Sequence, residues 1–211
     1  MHISFIGYGQ VGAPLADHLQ RLGHTVTLAA RDLQSEAVRA VQARNPALQA
    51  RPLHEAVQAA EVVFLATPWL ANAQVVPPLA EALAGKVLVD CTNPVGPGLS
   101  HALGSQQSGA QALQALAPLA RVVKAFTIYG CENFENSAYP GYSVSPAMFF
   151  CGDDAPAKAS VATLIRELGW EPLDVGGLNQ ALHLEHMTLL WVRLVRAQGH
   201  SPGLVWAALR R

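Results

Sequence analysis

The chain has 211 residues, 51% of them hydrophobic and only 14% charged, with a net charge of −1. This composition builds one sizeable core, or a main domain with a small second one, and excludes a disordered chain. The near-neutral balance excludes a basic nucleic-acid surface or an acidic tail, so no nucleic-acid partner is expected. Cys91, Cys131 and Cys151 are widely spaced with no C-x-x-C, as in reduced cytosolic thiols. The first apolar run is too short for a signal peptide and ends in glycines. No stretch reaches the ~18–20 apolar residues of a membrane span, and Arg193 interrupts MTLLWVRLV. A soluble, cytoplasmic protein without a membrane partner is expected.

In chain order, HISFIG reads as a buried strand. A helix follows, with Val11, Leu15, Leu19 and Leu22 at helical spacing and Gly23 as its stop. TVTLAA is a second strand, and a helix over 33–44 ends before Asn45-Pro46. EVVFLATP (61–68), KVLVDCTNP (86–94) and RVVKAFTI (121–128) are further strands separated by helical stretches. This alternation predicts an α/β protein with a Rossmann-like, doubly wound parallel sheet. After residue 128 the chain turns polar and turn-rich. It continues with a strand MFFCG, a helix carrying Val161, Leu164, Ile165 and Leu168, the segment WEPLDVGG, and a helix over about 179–198. That last helix has Met187, Leu190, Trp191 and Leu194 on one stripe. The division expected is a nucleotide-binding domain over 1–128 and a small C-terminal part over 129–211.

The first strand runs into G-x-G-x-x-G, with a helix after it and a second strand a dozen residues on, the context a dinucleotide fingerprint requires. Gly7 permits the tight turn, Gly9 lets a pyrophosphate approach the backbone, and Gly12 lets helix and sheet pack closely. Free amides at the helix start then face an anion. The end of the second strand selects the nucleotide. It reads LAARD, with Ala30 where an NAD site carries an acid and Arg31 next, which favours the 2′-phosphate of NADP. Asp32 has a similar spacing, so spacing alone leaves NAD open. Thr67 and Pro68 in ATPW, and Thr92, Asn93 and Pro94 in CTNP, close the third and fourth strands, where open parallel sheets bind ligands.

Taken together, FIGYGQVG, Arg31, FLATPW, DCTNP, VVKAF, FFCGDD, LGWEPLDVGGL and ALHLEHMTLLWVRL resemble the coenzyme F420-dependent NADP oxidoreductase family, which includes the reductase domains of the STEAP metalloreductases. The resemblance covers nearly the whole chain. It implies a Rossmann domain that binds NADPH, a small C-terminal part shaping the site over the nicotinamide, and a homodimer. By position, Tyr8, Gly9, Gln10 and Val11 surround the pyrophosphate and Arg31 meets the 2′-phosphate. Thr67 and Pro68 lie on the adenosine side, Asn93 and Pro94 towards the nicotinamide ribose, and Lys124, Ala125, Phe126 and Thr127 at the nicotinamide end. Two departures stand out: Thr127 replaces an asparagine, and Ala30 replaces a serine or threonine.

The resemblance implies hydride transfer between NADP(H) and a flat acceptor such as coenzyme F420 or a flavin. Proximity and orientation carry such chemistry, so no acid–base residue is assigned. No Tyr-x-x-x-Lys pair is present, which argues against a short-chain dehydrogenase, and the chain is too short for the helical domain of a pyrroline-5-carboxylate reductase. Tyr129, Tyr139 and Tyr142, in the loop 127–146, are candidates for the acceptor wall. His183 and His186 lack a third ligand, so no metal site is expected. Two alternatives remain: a ferric or quinone reductase using bound flavin, and a non-catalytic NADPH sensor or partner-binding module.

Overall fold

The computed structural model describes residues 1–211, and its centre is one eight-stranded sheet. The strands are β1 (His2–Ile6), β2 (Thr25–Ala30), β3 (Gln49–Pro52), β4 (Val62–Leu65), β5 (Val87–Asp90), β6 (Arg121–Lys124), β7 (Ala147–Gly152) and β8 (Glu171–Asp174), in spatial order 3-2-1-4-5-6-7-8. The helices are α1 (Gly12–Arg21), α2 (Glu36–Arg44), α3 (Leu53–Ala59), the single turn α4 (Asn72–Val75), α5 (Gly109–Leu116), α6 (Ala155–Glu167) and α7 (Ala181–Val192), the last continued by a wider turn over Arg193–Ala197. Strands β1 to β6 are parallel. Their connections cover both faces, so β4 and β5 are buried along their whole length and read as unbroken apolar runs up to Asp90.

β7 runs antiparallel to β6, and β8 parallel to β7. The sheet is therefore mixed at one edge rather than parallel throughout. The cause lies in the connection: β6 and β7 are joined by a long loop, which can return the chain in the opposite direction, whereas parallel neighbours need a crossover. β3 is an additional strand at the other edge. Its sequence, QARP, is polar and ends in proline, which an edge strand tolerates because one row of its backbone groups pairs with nothing.

Helix α2 starts at Glu36, three residues later than 33, because the Ser35 side chain accepts the Val38 amide and caps it. The inward face of α7 also differs from the expected apolar stripe. Ala181, Leu184, Glu185, Thr188, Trp191 and Val195 are buried, whereas Leu190 is 49% exposed. Two polar residues belong to the inner face, so hydrophobicity alone places that face one position off. The C-terminal tail lies against the start of β7: the Ala147 amide donates to the Trp206 carbonyl and the Trp206 indole to the Ile128 carbonyl.

Candidate functional site

The carboxyl ends of β1, β2 and β4 surround a cleft of about 430 Å³ lined by Gly7, Tyr8, Gly9, Arg31, Thr67 and Pro68, with Leu53, Ala71 and Gln74 on its walls. The glycines that build it carry different constraints. Gly7 has φ +89°, and a Cβ there would meet the Ala66 carbonyl at 2.6 Å. A Cβ on Gly12 would lie 2.1 Å from the Gly7 oxygen, so α1 can cross the strand ends only without a side chain. A Cβ on Gly9 would meet nothing within 4 Å. Packing leaves the space beside Gly9 free, as close approach of a phosphate group to the backbone requires.

Val11 starts α1 without a side-chain cap, and Ala13 donates its amide to the Gly9 carbonyl. The amides of Gln10, Val11 and Gly12 have no partner within the chain. These donors and the positive end of the helix dipole suit an anion. At the opposite rim Arg31 is exposed, immediately after the buried Ala30. The Asp32 carboxylate is engaged locally, accepting the Gln34 amide at 2.8 Å. The competing acid is thus tied into its own turn, and Arg31 is the charged residue on the cleft. The cradle, its unpaired amides and the guanidinium fit a dinucleotide with an additional phosphate.

The remaining candidates lie further along the strand ends. Asn93 is half-buried, and Pro94, Ala125 and Thr127 are buried; none of the four lines the cleft. Lys124, expected with them at the nicotinamide end, is fully buried. Its ammonium donates to Asp90 Oδ2 at 2.9 Å and to the Thr92 carbonyl, and lies 3.1 Å from Glu185 Oε1. Tyr129 is not part of an acceptor wall: it is buried and donates to the Ala147 carbonyl. Tyr139 is half-buried and donates to Asn133, leaving Tyr142, 74% exposed, as the free aromatic of that loop.

Sequence reasoning missed a polar chain running behind the cleft. Thr67 donates to Asn72 Oδ1, Asn72 to Thr92 Oγ1, and Thr92 to Asp90 Oδ1, at 2.8, 3.1 and 2.7 Å. Asp90 continues it through Lys124 to Glu185, which also pairs with His101 Nε2 at 2.8 Å and accepts the Gly109 and Ala110 amides at the start of α5. His101 Nδ1 accepts the Leu103 and Ser105 amides, so Nε2 carries the proton given to Glu185. Burial alone would pull the Lys124 ammonium down, but Asp90 and Glu185 outweigh it and hold its pKa above the ordinary value. Burial likewise pushes Glu185 up, and Lys124, His101 and the Gly109 amide reverse this, leaving its carboxyl below the usual range. The signal available in the sequence was Lys124 itself, a cation ending an apolar strand, in register with Asp90 on the neighbouring strand. The T-shaped pair His101–His186, with Ser105 Oγ 2.9 Å from His186 Nε2, accounts for the second of the two helix histidines.

Cys131 lies 3.9 Å from the Gln10 amide oxygen, so the loop after β6 crosses beside the phosphate loop. Burial and the adjacent Glu132 push its thiol up rather than activate it.

The sequence profile described as NADP oxidoreductase, coenzyme F420-dependent, matches residues 2–94. A solved structure from Arthrobacter sp. FB24, described as an F420 dependent NADP-reductase, superposes with a TM-score of 0.86 at 30% identity, covering 100% of both chains. The chain belongs to the coenzyme F420-dependent NADP oxidoreductase family. Membership places it among the NADP-dependent oxidoreductases. Metalloreductase STEAP3 of Rattus norvegicus is 31% identical over 188 residues, 89% of this chain but only 36% of that protein, so the chain spans about a third of that relative. An imine reductase from Myxococcus stipitatus, solved with NADP+, shares the fold with a TM-score of 0.67 at 17% identity. No helix in this family member is long and apolar enough to cross a membrane.

Proposed function

We propose that the protein is an NADPH-dependent oxidoreductase that moves a hydride between NADP(H) and a planar acceptor such as coenzyme F420 or a flavin. The observation that carries this reading is the pairing, across one cleft, of open space at Gly9 and three unpartnered amides with the Arg31 guanidinium. In this reading Gly7, Tyr8, Gly9, Gln10, Val11 and Gly12 hold the pyrophosphate, and Arg31, following Ala30, holds the 2′-phosphate. Thr67 and Pro68 border the adenosine side. Asn93 and Pro94 meet the nicotinamide ribose, and Ala125 and Thr127 back the ring.

When bound, the dinucleotide supplies the hydride. The protein's part is to bind, orient and exclude water, so no side chain is assigned a proton-transfer role. The protein works in the cytoplasm, where its three unlinked thiols suit a reducing compartment. It acts as a homodimer; the outer side of α7, with Leu190 exposed beside His183, His186 and Arg193 and with Leu182, Leu189 and Leu194 half-buried, offers a mixed surface for a second copy.

The test is oxidation of NADPH, followed at the nicotinamide absorbance band, with coenzyme F420, FMN, FAD, a quinone and a ferric chelate supplied separately. Turnover with the deazaflavin or a flavin is expected. Iron or quinone turnover only with added flavin would move the assignment to a ferric or quinone reductase. Tight NADPH binding without oxidation of any acceptor would make the protein a sensor.

A further inference from the structure

The two loops that this reading puts at the nicotinamide half, after β5 and after β6, are joined by one side chain from a third element. Thr188 faces inward from α7 and is buried. Its single hydroxyl proton goes to the Thr127 carbonyl at 2.8 Å; the Asn93 amide group, 3.0 Å away, completes the link with its Nδ2 turned to donate to Oγ1, and the Leu184 carbonyl lies 3.1 Å away. A threonine in a helix commonly returns its hydroxyl to the carbonyl four residues back. Here that is the longest of the three contacts, and the other two reach separate strand-end loops.

The turn so held is unusual. Phe126, immediately before Thr127, is buried with φ +56°, a conformation bulky L-residues rarely adopt. Such outliers persist only where surrounding contacts fix them. Phe126 is fixed on one side by Phe64, Phe134 and Trp170, and its successor by Thr188. At the same turn the Thr127 hydroxyl is buried with no partner in the chain, so the Thr127 side chain contributes no hydrogen bond that holds the turn.

We propose that Thr188 is a positioning residue for the nicotinamide half of the dinucleotide: its hydroxyl sets the Asn93 side chain and the Thr127 backbone relative to each other and so preforms that end of the site. The proposal rests on the NADPH reading above. It assigns Thr188 no contact with the ligand.

Calorimetric titration with NADPH and with 2′,5′-ADP, which carries the adenosine and 2′-phosphate without the nicotinamide, separates this role from general stability. Thr188→Val keeps the shape and removes the hydroxyl, whereas Thr188→Ser keeps the hydroxyl. For Thr188→Val, NADPH should weaken roughly tenfold and 2′,5′-ADP by less than about twofold, with Thr188→Ser within about threefold of wild type for both. Equal weakening of both ligands, unchanged NADPH binding, or a serine variant as poor as valine each overturns the proposal. If Thr188→Val does not fold, Thr188→Ala removes the same hydroxyl without setting an extra methyl group against the Thr127 carbonyl. It should give the same selective loss, and equal losses for both ligands would again overturn the role. A wild-type protein that binds neither ligand removes the NADPH reading itself, a result distinct from any of these variant outcomes.

Discussion

Replacing Lys124 by methionine probes the charged chain behind the cleft. The Nζ lies within 3.1 Å of both Asp90 Oδ2 and Glu185 Oε1, with all three side chains 0–1% exposed. Without the cation, two buried carboxylates face each other at no more than about 6 Å, a repulsion of roughly 3 kcal/mol at an effective dielectric of about 20. One partner of a buried ion pair generally costs about 3–5 kcal/mol to remove, or roughly 6–20 °C in Tm for a chain of this size. The pH dependence should change sign as well. In the wild type, the Glu185 carboxyl is held below its ordinary value of 4.5. That contribution is therefore fully present above the unfolded pKa, flat between pH 7 and 5, and lost only as pH falls through the depressed folded value. In Lys124→Met the repulsion raises one carboxyl above its unfolded value, so stability falls as pH rises through that window. Urea unfolding at pH 7 and pH 5 reads both effects: the variant should be more stable at pH 5 than at pH 7. Adding Glu185→Gln should flatten that slope. A loss below about 1 kcal/mol at pH 7, or a variant with the wild-type pH profile, would refute the assignment of a charged, mutually stabilised cluster.

The two loop glycines should respond differently to alanine. Gly12→Ala forces a Cβ against the Gly7 oxygen and should lower Tm and NADPH affinity together, whereas Gly9→Ala, with nothing within 4 Å, should leave Tm unchanged and weaken NADPH. Thermal melts with and without NADPH check both. Arg31→Ala should weaken NADPH by roughly 10–100-fold, the worth of charge-assisted phosphate bonds, and leave NADH within error in the same titration; equal losses would remove the 2′-phosphate assignment. Of the three thiols, only Cys131 is not buried. A disulfide reagent should therefore titrate one thiol in the native protein, at a rate still rising with pH where an ordinary thiol's levels off, because burial and Glu132 push that thiol up; three fast thiols would contradict the packing around Cys91 and Cys151.

What was legible in the sequence is local. The β1–loop–α1 unit and Arg31 at the end of β2 sit within some thirty residues, where spacing and conformational demand coincide. The buried strands announce themselves through unbroken β-branched runs. β3 escaped because a four-residue polar edge strand has no periodicity to detect. The antiparallel β7 depends on where a long loop lands, which local pattern does not encode. The inner face of α7 was misplaced because Glu185 and Thr188 are polar, and their burial is intelligible only once Lys124, His101, Asn93 and Thr127 arrive from 61 to 95 positions away. Tyr129 counts among the acceptor-wall candidates from sequence for the same reason: its partner, the Ala147 carbonyl, belongs to a strand reached by that unpredictable return.

The most direct measurement is isothermal titration of the wild-type protein with NADPH and with NADH. A saturable heat with one NADPH per chain, and affinity at least about tenfold weaker for NADH, is the expected result. No heat with either nucleotide, or equal affinity for the two, would contradict a phosphate cradle at Gly9 paired with a selective guanidinium at Arg31.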